Sequence, residues 1–255
     1  MQEINKNKYG ALLVARLSSS RLPRKNILPI VSKPMIELLY ERVSYSKNLS
    51  KIVICTSDEK SDDELEDLCL QRGWDCFRGS LDDIMLRQVK AAEKYNIENI
   101  VEILGDNPLV HSEIIDSVIS LYDHSDCDYS ANLTKEYEGI LPANKLFSVG
   151  LRVQVYKTKI AETYKSFEVH KNPDLHPSSF IYNSEEFKSK FLEADDEWSY
   201  LNRPDLNFAV NYPKNFLLAR LIFESIYHND KNFDLKKVFS LLDSQPYLYN
   251  LFGPE

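Results

Sequence analysis

The sequence predicts an α/β fold built on a doubly wound, mostly parallel sheet. Three observations point there. Short apolar runs alternate with amphipathic stretches through the first half, the links between them are short, and notable polar residues fall just after the apolar runs. Strand and helix alternating in this way is the pattern of βαβ units. Ligands of such sheets sit beyond the carboxyl ends of the strands.

Each element has a local reason. Ala11 to Ala15 reads as a strand, and Pro34 to Lys47 as a helix with proline in its first turn, where a missing N–H costs nothing. Ile52 to Thr56 is a second strand. A helix from Ser61 to Arg72 opens on a capping serine, carries Asp62, Asp63 and Glu64 at its positive end and stops at Gly73. Asp75 to Phe77 reads as a short strand, Asp83 to Tyr95 as a helix, Asn99 to Leu104 as a strand and Ser112 to Tyr122 as a helix. From about Thr134 the pattern loosens. Glu136 to Ser148 and Val169 to Ser184 read as loops and an extension, with a strand at Leu151 to Tyr156 between them. A strand at Asn207 to Asn211, a helix at Asn215 to Tyr227 led in by Pro213, and a last helix from Asp234 to Leu242 close the chain. The expectation is one domain over residues 1–255 with an inserted arm at about 134–185.

Composition narrows the function. The chain has 255 residues, 43% of them hydrophobic, which is enough for one large core. Its net charge is −8, with no run of five or more Lys/Arg, so a nucleic-acid partner is not expected. No apolar stretch approaches the roughly 20 residues of a membrane span, and the opening MQEINKNKYG lacks the apolar region of a secretory signal. Cys55, Cys69, Cys76 and Cys127 show no CxxC spacing and read as reduced, mostly buried thiols. A soluble, cytoplasmic protein is expected.

The segment Ala15-Arg16-Leu17-Ser18-Ser19-Ser20-Arg21-Leu22-Pro23-Arg24-Lys25 carries the most chemistry. It places four cations and three hydroxyls directly after the first strand. A loop there can aim N–H groups, hydroxyls and cationic side chains at a triphosphate. It is not a Walker A loop. On composition alone, phosphate binding and a solvated basic loop stand about even.

The same segment resembles the A-R-x-x-S-x-R-L-P-x-K signature of the cytidylyltransferase family that includes SpsF-like proteins of spore-coat polysaccharide biosynthesis, relatives of the synthetases of CMP-linked sugar acids. Lys33-Pro34-Met35-Ile36 resembles its G-K-P-M-I, with Ser32 in place of glycine. Phe77-Arg78-Gly79-Ser80 with Asp82 to Arg87 is similar to R-G-S-x-x-D-V-L-x-R. Gly105-Asp106-Asn107-Pro108-Leu109 is similar to G-D-x-P-L, and Asp128 to Asn132 to D-Y-x-x-N. His176 to Tyr182 resembles H-V-T-P-x-I-Y, and Phe208 to Pro213 a closing x-x-V-D-x-P. Order and approximate spacing hold over nearly the whole chain.

The resemblance implies a Rossmann-like nucleotidyltransferase fold and transfer of CMP from CTP to a sugar or sugar-acid acceptor for a surface glycan, with Mg²⁺ and release of pyrophosphate. Arg16, Ser19, Ser20, Arg21 and Lys25 would hold the triphosphate, and Arg16, Lys25 and Asp106 would be catalytic. Arg78 and Ser80 would lie near the base or ribose. Asp106 and Asn211 would hold the metal, and Arg152, Gln154 and His176 would face the acceptor. By analogy a homodimer is compatible.

This chain departs from the family at informative places. Ser18 and Arg24 stand where the loop usually has glycine. Arg152, Gln154 and Asn211 replace acidic residues, and an amide oxygen binds Mg²⁺ less well than a carboxylate. Two readings stay open: an active enzyme with an altered acceptor, or a degenerate nucleotide-binding or regulatory member. Other candidates are weaker. His170 and His176 with Asp174 lack a metal-ligating context. Ser18 to Ser20 lack a nucleophile elbow, and the acidic run Asp58 to Asp67 reads as a solvated helix face. Phe216, Phe223 and Tyr227 recur at helical spacing and read as core.

Overall fold

A computed structural model describes residues 8–137, 145–167 and 176–248. Its strands are β1 (Tyr9–Val14), β2 (Pro29–Ile30), β3 (Lys33–Pro34), β4 (Lys51–Ser57), β5 (Asp75–Gly79), β6 (Asn99–Leu104), β7 (Tyr129–Asn132), β8 (Gln154–Lys157) and β9 (Ser189–Leu192). Its helices are α1 (Met35–Ser44), α2 (Asp63–Arg72), α3 (Ile84–Tyr95), α4 (Ser112–His124), α5 (Thr158–Ala161), α6 (Ser179–Tyr182), α7 (Pro213–Ile226) and α8 (Leu235–Ser244). Seven strands form one sheet in the order β5-β4-β1-β6-β8-β7-β9. Only β8 runs antiparallel to its neighbours; the other pairs are parallel. The β2–β3 hairpin stands apart.

Successive strand residues point to opposite faces, so one apolar run feeds two cores. Tyr9, Ala11 and Leu13 of β1 join Val101 and Ile103 of β6 beneath α1, α2, α4, α7 and α8. Leu12 and Ile100 face the other way, against Met85, Val89 and Ala92 of α3 and Phe180 of α6. Helices on both faces make the sheet doubly wound, as the alternation predicts. Truncating a fully buried residue such as Leu13 or Ile103 to alanine costs about 2–5 kcal/mol. All four cysteines are free thiols, with Cys55 and Cys69 buried.

Several expectations need correction. Ser61 does not cap α2: a 3-10 turn over Lys60–Asp62 precedes the helix, and Asp62 occupies the N-cap position. Nor is the acidic run wholly solvated, because Asp62 is buried and accepts hydrogen bonds from Thr56 and Ser57. Asn207 to Asn211 is not a strand: Asn207 makes an isolated bridge to Val149, and Asn211 N–H donates back to Ala209 O at 3.0 Å. Gly150, with a φ of +88°, lets residue 209 approach closely; a Cβ there would lie 2.3 Å from Ala209 N. The strand expected from Leu151 begins at Gln154, and β9 has no counterpart among the strands expected from sequence.

The segment expected as an arm also contributes to the sheet. Its strand β8 lies between β6 and β7, and Phe180 and Ile181 are buried. The loop readings over 138–144 and 168–175, including His170 and Asp174, lie outside the described residues.

Candidate active site

The carboxyl ends of β1 and β6 lie side by side, with Val14 opposite Leu104. Gly105 N–H donates to Val14 O at 2.8 Å. A Cβ on Gly105 would meet Ala15 Cβ at 2.7 Å, so glycine is what lets the two strand ends come this close. Beyond this point β1 continues into the Arg16 to Arg24 loop and β6 into Asp106. The loop returns through a 3-10 turn at Lys25–Ile27. Between the two lies a cleft lined by Arg16, Ser19, Ser20, Arg21, Lys25 and Asp106, with Asn26, Ile84 and Arg87 at its sides. The structure thus brings six of the sequence-predicted residues to the sheet edge where ligands of this fold class bind.

Polar contacts tie the two walls together. Lys25 Nζ lies 2.7 Å from Asp106 Oδ2 and 3.2 Å from Asn211 Oδ1. Asn211 Oδ1 also accepts from Arg21 Nη2 at 3.1 Å, and the Arg21 guanidinium lies 5.4 Å from the Tyr212 ring centroid. Val210 N–H donates to Asp106 O at 2.8 Å, which fixes the Asn211 segment beside Asp106. Asp106 and Asn211 therefore meet on one ammonium.

Among the described residues, Asp106 is the sole carboxylate lining this cleft, and no group of three or more His, Cys, Asp or Glu side chains is arranged for a metal. One carboxylate and one amide oxygen fit a hard divalent cation that takes its remaining oxygens from substrate phosphate and water. They do not form an all-protein cage.

Arg78 and Ser80 do not line this cleft. The Arg78 guanidinium pairs with Asp63 at 2.8 Å and Glu66 at 2.7 Å, and donates to Ser57 O and Glu59 O. It clasps the start of α2 to the end of β4. Ser80 Oγ accepts from Asp83 N–H at 3.0 Å. Of the two arginines in this motif, Arg87 reaches the cleft; it is buried and donates to Ser80 O at 2.9 Å.

Arg152, Gln154 and His176 meet in a second, buried polar cluster against β6. Gln154 Oε1 accepts from Tyr129 OH at 2.5 Å, Ser178 Oγ at 2.7 Å and Arg152 Nη2 at 2.9 Å. Arg152 Nε also donates to Tyr137 OH, and its guanidinium lies 4.3 Å from that ring centroid. Among the described residues no carboxylate pairs directly with Arg152. His176 Nδ1 lies 2.9 Å from Ser178 Oγ, and its Nε2 lies 3.0 Å from Glu102 Oε1. Burial pushes the Glu102 carboxyl up, but the His176 ring, the Tyr156 hydroxyl and the Arg152 charge outweigh it and hold the group below its ordinary value.

Sequence reasoning missed Glu102, Arg87, Asn26 and Asp62. Glu102 was readable in principle, as the one acid in β6, flanked on both sides by apolar residues. Arg87 stands in sequence only as the last residue of the Asp82 to Arg87 stretch, with nothing local to mark it as a cleft residue.

The cytidylyltransferase family description matches residues 11–150. The spore coat polysaccharide biosynthesis protein SpsF of Bacillus subtilis is 30% identical over 185 residues, covering 70% of this chain and 76% of that protein. A cytidylyltransferase structure from Leptospira borgpetersenii superposes with a TM-score of 0.81 at 24% identity, over 94% of this chain and 96% of that one. CMP:2-keto-3-deoxy-manno-octonic acid synthetase complexed with CTP superposes with a TM-score of 0.62 at 16% identity, over 86% of this chain and 99% of that one. These two share its Rossmann-like nucleotidyltransferase fold. The chain belongs to the cytidylyltransferase family.

Proposed function

We propose that this protein transfers CMP from CTP to a sugar or sugar-acid acceptor, with release of pyrophosphate, in the building of a surface glycan. The observation that carries the reading is the gathering of Arg16, Arg21 and Lys25 with Asp106 in one cleft at the ends of β1 and β6. SpsF and the CTP-bound synthetase support the choice of nucleotide and acceptor class. A cytoplasmic place of action fits the use of a nucleoside triphosphate.

In this reading an acceptor oxygen attacks the α-phosphorus of CTP, and the bond to the β-phosphate oxygen breaks. Arg16 and Arg21 bind the triphosphate oxygens, and Ser19 and Ser20 donate to them. Lys25, mostly withdrawn from solvent, faces the negative charge that grows as pyrophosphate leaves. Asp106, with Asn211 beside it, would hold Mg²⁺, which when bound neutralises phosphate charge. Arg152 offers a buried cation to a carboxylate or phosphate on the acceptor, oriented by Gln154 and Tyr137. His176 would be a further acceptor contact.

The test is pyrophosphate release with CTP, Mg²⁺ and a panel of sugars and sugar acids, compared with ATP, GTP and UTP. Arg16→Ala and Asp106→Ala should abolish it. One observation favours a second reading: the positions expected to be acidic hold Arg152, Gln154 and Asn211. A non-catalytic nucleotide-binding or regulatory protein would be stabilised by CTP yet release no pyrophosphate with any acceptor.

A further inference from the structure

We propose that Asn26 and Asp62 are positioning residues that clamp one peptide unit, the link between Arg16 and Leu17, and so aim Arg16 at the triphosphate. The inference rests on the reading of the cleft given above. The carbonyl of that unit, Arg16 O, accepts from Asn26 Nδ2 at 3.0 Å. Its amide, Leu17 N–H, donates to Asp62 Oδ1 at 2.6 Å. Both clamping side chains are withdrawn from water, Asn26 at 2% exposure and Asp62 at 0%. A peptide plane held at both polar ends cannot swing without breaking a buried hydrogen bond, which leaves a group unsatisfied. The Arg16 side chain is exposed, so packing does little to set its direction. Its backbone must.

The clamp is itself anchored. Asp62 Oδ2 accepts from Thr56 Oγ1 at 2.9 Å, from Ser57 N–H at 3.1 Å and from Ser57 Oγ, all at the end of β4. Helix capping does not account for this carboxylate. Asp62 occupies the N-cap position of α2, yet its side chain makes no cap hydrogen bond there. It turns to the loop and to β4 instead. Burying a carboxylate without a cation is costly, and here donors from two other elements offset the loss. Asn26 directly follows Lys25 in its 3-10 turn, so the same amide couples the two ends of the cationic loop. Leu17 O accepts from Arg24 N–H at 2.9 Å and closes it.

The experiment is a double-mutant cycle on CTP affinity, read by titration calorimetry. Asn26→Ala and Asp62→Asn should each weaken CTP binding about tenfold, the worth of one well-placed hydrogen bond. Neither should weaken it further in an Arg16→Ala background, because both act through Arg16. A merely structural role would give the same loss in both backgrounds. That outcome, or no loss at all, overturns the clamp while leaving the cleft's function intact. If Arg16→Ala alone leaves CTP affinity unchanged, the triphosphate reading fails and the clamp fails with it. Should Asp62→Asn not fold, Asn26→Ala carries the same test, since its hydrogen bond runs to Arg16 O within the loop and not to β4.

Discussion

Lys25 and Asp106 form an ion pair of 2.7 Å across the cleft, with side chains only 9% and 21% exposed. The pair joins the two segments that leave β1 and β6, and Asn211 completes it from a third. Because Asn211 Oδ1 also accepts from Arg21, this amide sits between two cations where a carboxylate would be held by both.

Asn211→Asp should therefore be tolerated in the fold and should strengthen the Mg²⁺ site proposed at Asp106. A second carboxylate beside Asp106 offers a hard cation a charged ligand in place of a neutral one. The Mg²⁺ concentration for half-maximal pyrophosphate release should fall about tenfold, a modest electrostatic gain for a site already flanked by Lys25 and Arg21. An unchanged Mg²⁺ dependence would show that Asn211 does not face the metal.

How much of this was readable from sequence depends on where each residue faces. The core strands β1 and β6 are buried on both sides and show as apolar runs, that of β6 broken only by Asn99 and Glu102. The edge strand β9 is half-exposed, with lysine and serine in it, and gives no such run. The cationic loop was legible because its charges lie consecutively. Arg78 and Arg87 belong to one motif, yet only the path of α3 decides which enters the cleft. Asp62 stands in a run of acids, and nothing local distinguishes the one that turns inward.

Ser32→Gly should stabilise the protein. Ser32 has a φ of +65°, in the left-handed region that disfavours any residue with a Cβ. Relief of this strain, less the greater freedom of glycine in the unfolded chain, leaves a gain of up to about 1 kcal/mol. A chain of this size should melt about 2–4 °C higher. A lower melting temperature in a thermal scan would refute the strain argument.

His111 should make stability fall in weak acid. Burial and the nearby Arg42 cation lower its pKa from 6.5 to about 4. Between those values the unfolded chain takes up a proton that the folded chain refuses. Stability is therefore full above about pH 6.5 and declines towards pH 4, by on the order of 2–3 kcal/mol from this ring. His111 also caps α4 by accepting from Glu113 N–H, and asparagine preserves that role. His111→Asn should flatten the melting-temperature profile between pH 6.5 and 4 without lowering it at pH 7.5. A profile as steep as that of the unmodified protein would assign the acid sensitivity elsewhere.

Gln154→Glu tests whether the buried Arg152 lacks a counter-charge. One neutral oxygen of Gln154 now accepts from Tyr129, Ser178 and Arg152, a demand that a carboxylate with two oxygens meets better. The new acid would have its pKa depressed by Arg152, so its contribution is present above the ordinary glutamate range and lost as pH falls through the lowered value. At pH 7.5 the gain should be about 1–3 kcal/mol, seen as a higher melting temperature that disappears below pH 4. The substitution should also weaken any anionic acceptor, because Arg152 would already be paired. A protein stabilised at neutral pH but unchanged in acceptor affinity would place the acceptor's charged group away from Arg152.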